Sequence, residues 1–321
     1  MDIRSATAQD ASGIVALHRS ANPYGGWYRD PFQKLGPAKY EDLTPLERYF
    51  HGGFWMDLSL FRRHFHEYQT RGFPILVAEK AGKIVGECEV WRDDEPAPFG
   101  RYAEIVMLGA GSPPDAEVEQ ELVLRAAERV RKLGYPALDL SPLHGGSDRV
   151  VDLGFRAIWD TRTYEADAKA ISKPEVEFTT KFLAGEYGDL GLFLALDHRE
   201  PARWRFETLA ALWPAARVAG LQDATKVTAV AVETESQRFA VLAARREWLD
   251  PAPAELDVWL DPSNLTDDVR TREAYQVGAE IARRLGTKRL RAYGPPHAAR
   301  TLPELGFSGG NEPDPWLRWS F

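Results

Sequence analysis

The chain has one cysteine, Cys88, in 321 residues. A single thiol excludes an internal disulfide framework and fits a reducing compartment. No apolar run approaches the roughly 18 residues that a membrane span needs. The opening Met1-Asp2-Ile3-Arg4 lacks the basic start and apolar core of a signal peptide. These absences predict a cytoplasmic protein without a membrane partner. Positive charge is also short, with 40 basic against 48 acidic residues and a net charge of −8. The shortage is even: 22 basic and 26 acidic residues through Pro174, then 18 and 22, leave −4 on each half. No basic face or tail stands out, which argues against nucleic acid as a partner. Ser-His-Asp sets, P-loops and zinc-finger spacings are missing as well. His64 and His66 lie two apart on a helical stretch and face different ways, so with His51 they predict no metal site. Cys88, mid-strand between Glu87 and Glu89, reads as an inert core residue.

What is present is length and repetition. A chain of 321 residues is long for one domain, and two of about 150 residues each are expected. The 10 Trp are numerous and read chiefly as core filling. Ala127-Glu128 and Leu133-Gly134 recur as Ala279-Glu280 and Leu285-Gly286, an offset of 152. At the same offset Leu153-Gly154-Phe155 meets Leu305-Gly306-Phe307. Val106, Leu108, Asp115, Glu121 and Leu138 meet Val258, Leu260, Asp267, Glu273 and Leu290. Matches over some fifty residues predict an internal duplication.

Each copy reads as the same string of elements. In the first, Asp2–Ala6 is a strand, a helix runs through Ile14 and His18, and a helical stretch runs from Thr44 to about Tyr68. Phe73–Glu79 and Ile84–Trp91 form a hairpin, beside a strand over Tyr102–Leu108. Ser112-Pro113-Pro114-Asp115 opens a helix to Leu133. Ala137–Ser141 is a strand, Ser147–Leu153 a short helix and Phe155–Ala166 a final hairpin. The second copy repeats this from Val176, with Trp316–Phe321 closing its sheet and the join near Ala168–Glu175.

This order of elements, with Leu-Gly-Phe ending both copies and the strand starts Ala103-Glu104-Ile105 and Ala254-Glu255-Leu256, resembles the GNAT superfamily of acetyltransferases in a tandem form. The resemblance implies an α/β (α+β) fold. It implies two GNAT-like domains, 1–168 and 175–321, each a mixed, mostly antiparallel sheet flanked by helices. It further implies transfer of an acetyl or other acyl group from CoA to a small-molecule amine. Acetyl-CoA would lie where the central strand splays from its neighbour, with its pyrophosphate at the start of the long helix.

The loop motif that binds pyrophosphate in that family is absent. Its Arg/Gln and Gly slots hold Leu265, Asp268 and Arg270 in the second copy, and Pro113, Ala116 and Val118 in the first. Acids at both helix starts, Asp115 and Asp267, compete for the N–H donors an anion needs. The tyrosine that protonates the leaving thiolate in the family is replaced by Val150 and Leu302. The first copy is the better donor site. Gly109-Ala110-Gly111 leaves backbone free for pairing by pantetheine, so Met107, Leu108, Gly109, Gly111 and Pro113 are its expected contacts. Glu104 is the candidate base and His144 the candidate acid. Tyr24, Trp27 and Tyr28, in the loop after the first helix, are candidate acceptor contacts. The second reading is a GNAT-like protein without catalysis that binds a small molecule or a protein partner.

Overall fold

The computed structural model describes residues 1–141, 150, 152–183, 194–195, 200–247, 253–264, 266–310 and 312–321. Its strands are β1 (Asp2–Ser5), β2 (Tyr28–Asp30), β3 (Leu35–Pro37), β4 (Ile75–Lys80), β5 (Lys83–Glu95), β6 (Gly100–Gly109), β7 (Ala137–Leu140) and β8 (Arg156–Asp167). In the second half they are β9 (Phe178–Phe182), β10 (Leu194–Ala195), β11 (Thr225–Thr234), β12 (Arg238–Arg246), β13 (Ala254–Leu260), β14 (Arg289–Gly294), β15 (Ser308–Gly309) and β16 (Asp314–Ser320). The helices are α1 (Ala11–Ser20), α2 (Pro45–Tyr49), α3 (Leu58–Thr70), α4 (Ala116–Lys132), α5 (Ala202–Leu209), α6 (Pro214–Ala219), α7 (Leu221–Ala224), α8 (Asp268–Arg284) and α9 (Thr301–Glu304). Among these residues no helix is long and apolar enough to cross a membrane.

The repeat expected from sequence is present. α4 and α8 both span 17 residues and both start on an aspartate cap, Asp115 and Asp267. Two helix boundaries differ from expectation. The long helix starts at Ala116 rather than at Ser112, because Asp115 itself accepts from the Glu117 and Val118 N–H groups. The stretch Thr44–Tyr68 is two helices, broken at Gly52 and Gly53, whose φ angles of 156° and 82° no helix can hold.

The larger correction concerns the ends of both sheets. The strands form one continuous sheet in the order β1-β4-β5-β6-β7-β16-β8-β14-β13-β12-β11-β9. Phe155–Ala166 is therefore no hairpin: β8 is one strand of 12 residues, and it pairs with β14 of the second half. Trp316–Phe321 does not close the second sheet either. β16 lies between β7 and β8 and completes the first half. The two halves have traded their closing strands.

The helical layer is shared too. Trp204 and Trp213, from the second half, pack with Phe61, Phe65, Tyr68 and Trp91 of the first in one apolar core. Ring centroids of Trp91, Trp204 and Trp213 lie 5.1 to 5.8 Å apart. Most of the tryptophans thus fill cores, as expected.

Candidate active site

β6 and β7 run parallel and pair at only three positions, Ala103–Leu138, Glu104–Asp139 and Ile105–Leu140. Beyond Ile105 β6 continues to Gly109, while β7 ends at Leu140. The register against β5 slips at this point: Val90 faces Ile105 and Glu89 faces Met107, so Val106 is an extra residue. Such a bulge bends a strand and frees its backbone from the ladder. Among the described residues nothing pairs with the outer edge of Val106–Gly109.

The second half repeats the geometry and then closes it. β13 and β14 pair at Ala254–Leu290, Glu255–Arg291 and Leu256–Ala292. β12 takes one edge of β13 along Glu255–Leu260. β10 pairs with Trp259 and Leu260, so it must occupy the opposite edge, where β13 and β14 part. The chain's own backbone fills this gap. The pairing also makes Glu255 the counterpart of Glu104, an offset of 151 in the strands against 152 in the helices. The ungapped alignment, which matched Val106 with Val258, is out by one there.

A cavity of about 330 Å³ lies between the halves next to the open gap. Glu104, Met107, Trp55 and Ser141 line it from the first half, and Glu200, Trp204, Arg205 and Arg246 from the second. Glu104 is fully buried, and neither carboxylate oxygen makes a well-formed hydrogen bond. Burial pushes its pKa well above the usual carboxylate range; the Ser141 hydroxyl pulls the other way and the Asp139 charge adds to the rise. Asp139 is itself neutralised by β16, where Arg318 binds both of its oxygens at 2.7 Å and the Trp316 indole donates at 2.8 Å.

Beside the cavity runs a buried polar chain that sequence reasoning missed. The indole N–H of Trp213 donates to Nδ1 of His64 at 2.9 Å, which places the ring proton on Nε2. Nε2 meets Glu89 at 2.7 Å, and the other oxygen of Glu89 accepts from the Trp55 indole at 2.9 Å. One residue pair along, His18 contacts Glu87. Burial lowers His18 from 6.5 to about 4 and raises Glu87 well above its ordinary value. Both directions favour the uncharged forms of the two groups. His18 also covers Gly109, where a Cβ would stand 3.4 Å from its Cε1. The only sequence signal was the pair of acids, Glu87 and Glu89, two apart on a strand otherwise reading as core.

Of the residues expected from sequence, Glu104 and Met107 line the cavity. Leu108, Gly109, Gly111 and Pro113 follow along the free edge and the turn to α4. Tyr24, Trp27 and Tyr28 do not line it. They gather on His51, with ring centroids of Tyr24 and Trp27 5.6 and 4.7 Å from its ring, and the Tyr28 N–H donating to its Nε2. His144 and Leu265 lie outside the described residues. Val150 and Leu302, in the tyrosine slots, are buried core residues. Among the described residues no three His, Cys, Asp or Glu side chains could hold a metal.

The free strand edge suits the extended, amide-bearing arm of acyl-CoA, which can pair as an added strand. The helix start suits its pyrophosphate poorly, since Asp115 takes two of the N–H donors. No protein-family model matches the chain, and no curated protein matches it significantly. Solved structures do. A conserved protein of Enterococcus faecalis V583, described as a probable N-acyltransferase, aligns with a TM-score of 0.59 at 9% identity over 99% of this chain and 72% of its own. A GCN5-related N-acetyltransferase from Anabaena variabilis gives 0.57 at 11% identity, over 99% and 72%. A tandem GNAT protein from the clavulanic acid biosynthesis pathway gives 0.52 at 12%, over 99% and 98%. At these identities the likeness shows the fold, which is that of the GNAT acetyltransferases.

Proposed function

We propose that this chain, with its GNAT fold, moves an acetyl or other acyl group from acyl-CoA to a small-molecule amine in the cytoplasm. The first half holds the donor along Met107, Leu108 and Gly109, with Gly111 and Pro113 at the turn. The acceptor enters the cavity between the halves. The observation that carries this reading is the position of Glu104, a buried carboxylate without an ion pair or a well-formed hydrogen bond among the described residues, where the open strand edge meets the cavity. Ionised Glu104 takes the proton from the acceptor ammonium, which frees the nitrogen lone pair to attack the thioester carbon. A raised proton affinity brings the carboxylate closer to that of an amine and eases the transfer. His144 keeps its proposed role as donor of a proton to the departing thiolate. The test is thermal unfolding of the full chain with acetyl-CoA, CoA and ATP. A ligand at 100 times its Kd stabilises by about 2.7 kcal/mol. A shift of several degrees with both CoA compounds but not ATP supports the reading.

One observation favours a second reading, a binding protein without catalysis. Both long helices have their N-terminal donors capped by aspartate. No shift with either CoA compound at millimolar concentration would put that reading first.

A further inference from the structure

The cavity between the halves carries four charged side chains, Glu104, Glu200, Arg205 and Arg246. Both arginines are engaged inside the protein. Arg205 binds Asp257 at 2.6 Å and Glu255 at 3.1 Å, and Arg246 binds Glu255 at 3.2 Å. Neither oxygen of Glu104 makes a well-formed hydrogen bond, and Glu200 lines the cavity under the charges of Arg205 and Arg246, arginines whose own ion pairs run to Glu255 and Asp257. Behind the wall Glu255 and Asp257 take up Arg205 and Arg246, so the cavity side is left with the carboxylates of Glu104 and Glu200. Trp55 and Trp204 line the same space, and aromatic faces hold ammonium groups well.

We infer that the acceptor is a dication, a small diamine with its reacting ammonium at Glu104 and its second ammonium at Glu200. This rests on reading the cavity as the acceptor site. An acceptor bearing a carboxylate finds no free arginine there and meets two acids. Two glutamates in one cavity also set a direction for proton flow. Burial raises the proton affinity of both. An entering dication opposes that rise, so its binding should favour loss of a proton from the pair.

The experiment is calorimetric titration of the full chain, without CoA, using 1,4-diaminobutane, n-butylamine and 4-aminobutanoate. The diamine should bind at least about tenfold more tightly than either comparator, the contribution of one charge-assisted hydrogen bond. Its binding should release protons, seen as a heat that changes with the ionisation enthalpy of the buffer. Glu200→Gln should abolish the preference for diamine and leave n-butylamine affinity within about twofold, with the unfolding temperature checking the fold. If n-butylamine or 4-aminobutanoate matches the diamine on the unaltered chain, the inference is wrong, whatever the variant does. Diamine binding without acetyl transfer would sink the acyltransfer reading and, with it, the role of acceptor, leaving the cavity as a diamine-binding site. Transfer to amines that show no diamine preference would do the reverse.

Discussion

Glu104 and Glu255 hold the same place in the two copies, and their surroundings drive them in opposite directions. Across the parallel pairing Glu104 faces Asp139, whereas Glu255 faces Arg291. Burial acts on both. For Glu104 it wins, and the proton affinity rises. For Glu255 the charges of Arg246, Arg205 and Arg291 overcome it, and the carboxylate is held below its ordinary range. One copy keeps a carboxylate that can exchange a proton; the other has turned it into an anchor for two arginines.

That contrast separates the effects of two equal substitutions. Glu104→Gln should lower turnover by about 100-fold or more, with little loss of stability. Glu255→Gln should cost on the order of 2 kcal/mol of stability, since it loosens Arg205 and Arg246. The base must be ionised to act, so the rate should rise with pH along a limb above the ordinary carboxylate range. The limb should vanish in Glu104→Gln. Steady-state rates across pH and urea unfolding of both variants make the comparison.

The two capping aspartates should likewise differ. Serine caps a helix about as well, so Asp115→Ser and Asp267→Ser should each leave stability within about 0.5 kcal/mol. Removing the charge at Asp115 should tighten acetyl-CoA binding a few-fold, as expected for one charge at a helix terminus. Asp267→Ser should change nothing, because β10 already fills the gap beside it. Titration calorimetry with acetyl-CoA reads both; a gain in Asp267→Ser would contradict the closed second gap.

His18 should make the protein sensitive to acid. Its value is about 4 when folded and 6.5 otherwise. Between those values the unfolded chain binds a proton that the folded chain refuses, so stability falls as pH drops from 6.5 towards 4. The loss is on the order of 3 kcal/mol. His18→Gln should unfold with a flatter dependence on pH over that window, measured by urea titration at several pH values. An unchanged slope would mean that another group sets it.

The bond from β16 to β7 offers a mechanical test. Arg318→Met should leave Asp139 buried without its cation and cost about 3 to 5 kcal/mol. Asp139→Asn added to it should recover part of the loss, because the buried charge goes as well. Denaturant unfolding of the single and double variants forms the cycle.

The sequence carried the repeat, the caps and the order of elements, because each is written locally. Asp115 and Asp267 mark helix starts by chemistry that reaches only three residues on. The place of Glu104 on its strand was legible from the strand start, and the structure sets that position against the cavity. What was not legible depends on distant partners. Nothing local in Trp316–Ser320 says which sheet it joins, since either half offers it an edge of the same kind. The contact of His18 with Glu87 crosses 69 residues, and that of Trp213 with His64 crosses 149. The far wall of the cavity, Glu200–Leu209, carries no motif at all.

The exchange of closing strands also governs how the protein comes into being. Asp139 waits for Arg318, which lies 179 residues further along the chain. At translation rates of about 5 to 20 residues per second, that interval lasts roughly ten to forty seconds. For that time β7 presents an open edge, and Asp139 lacks its cation. The sheet of the first half is complete only once β16 has been made. With the closing strands traded, each copy's sheet is completed by the other, so removing either copy leaves an open sheet edge in the part that remains.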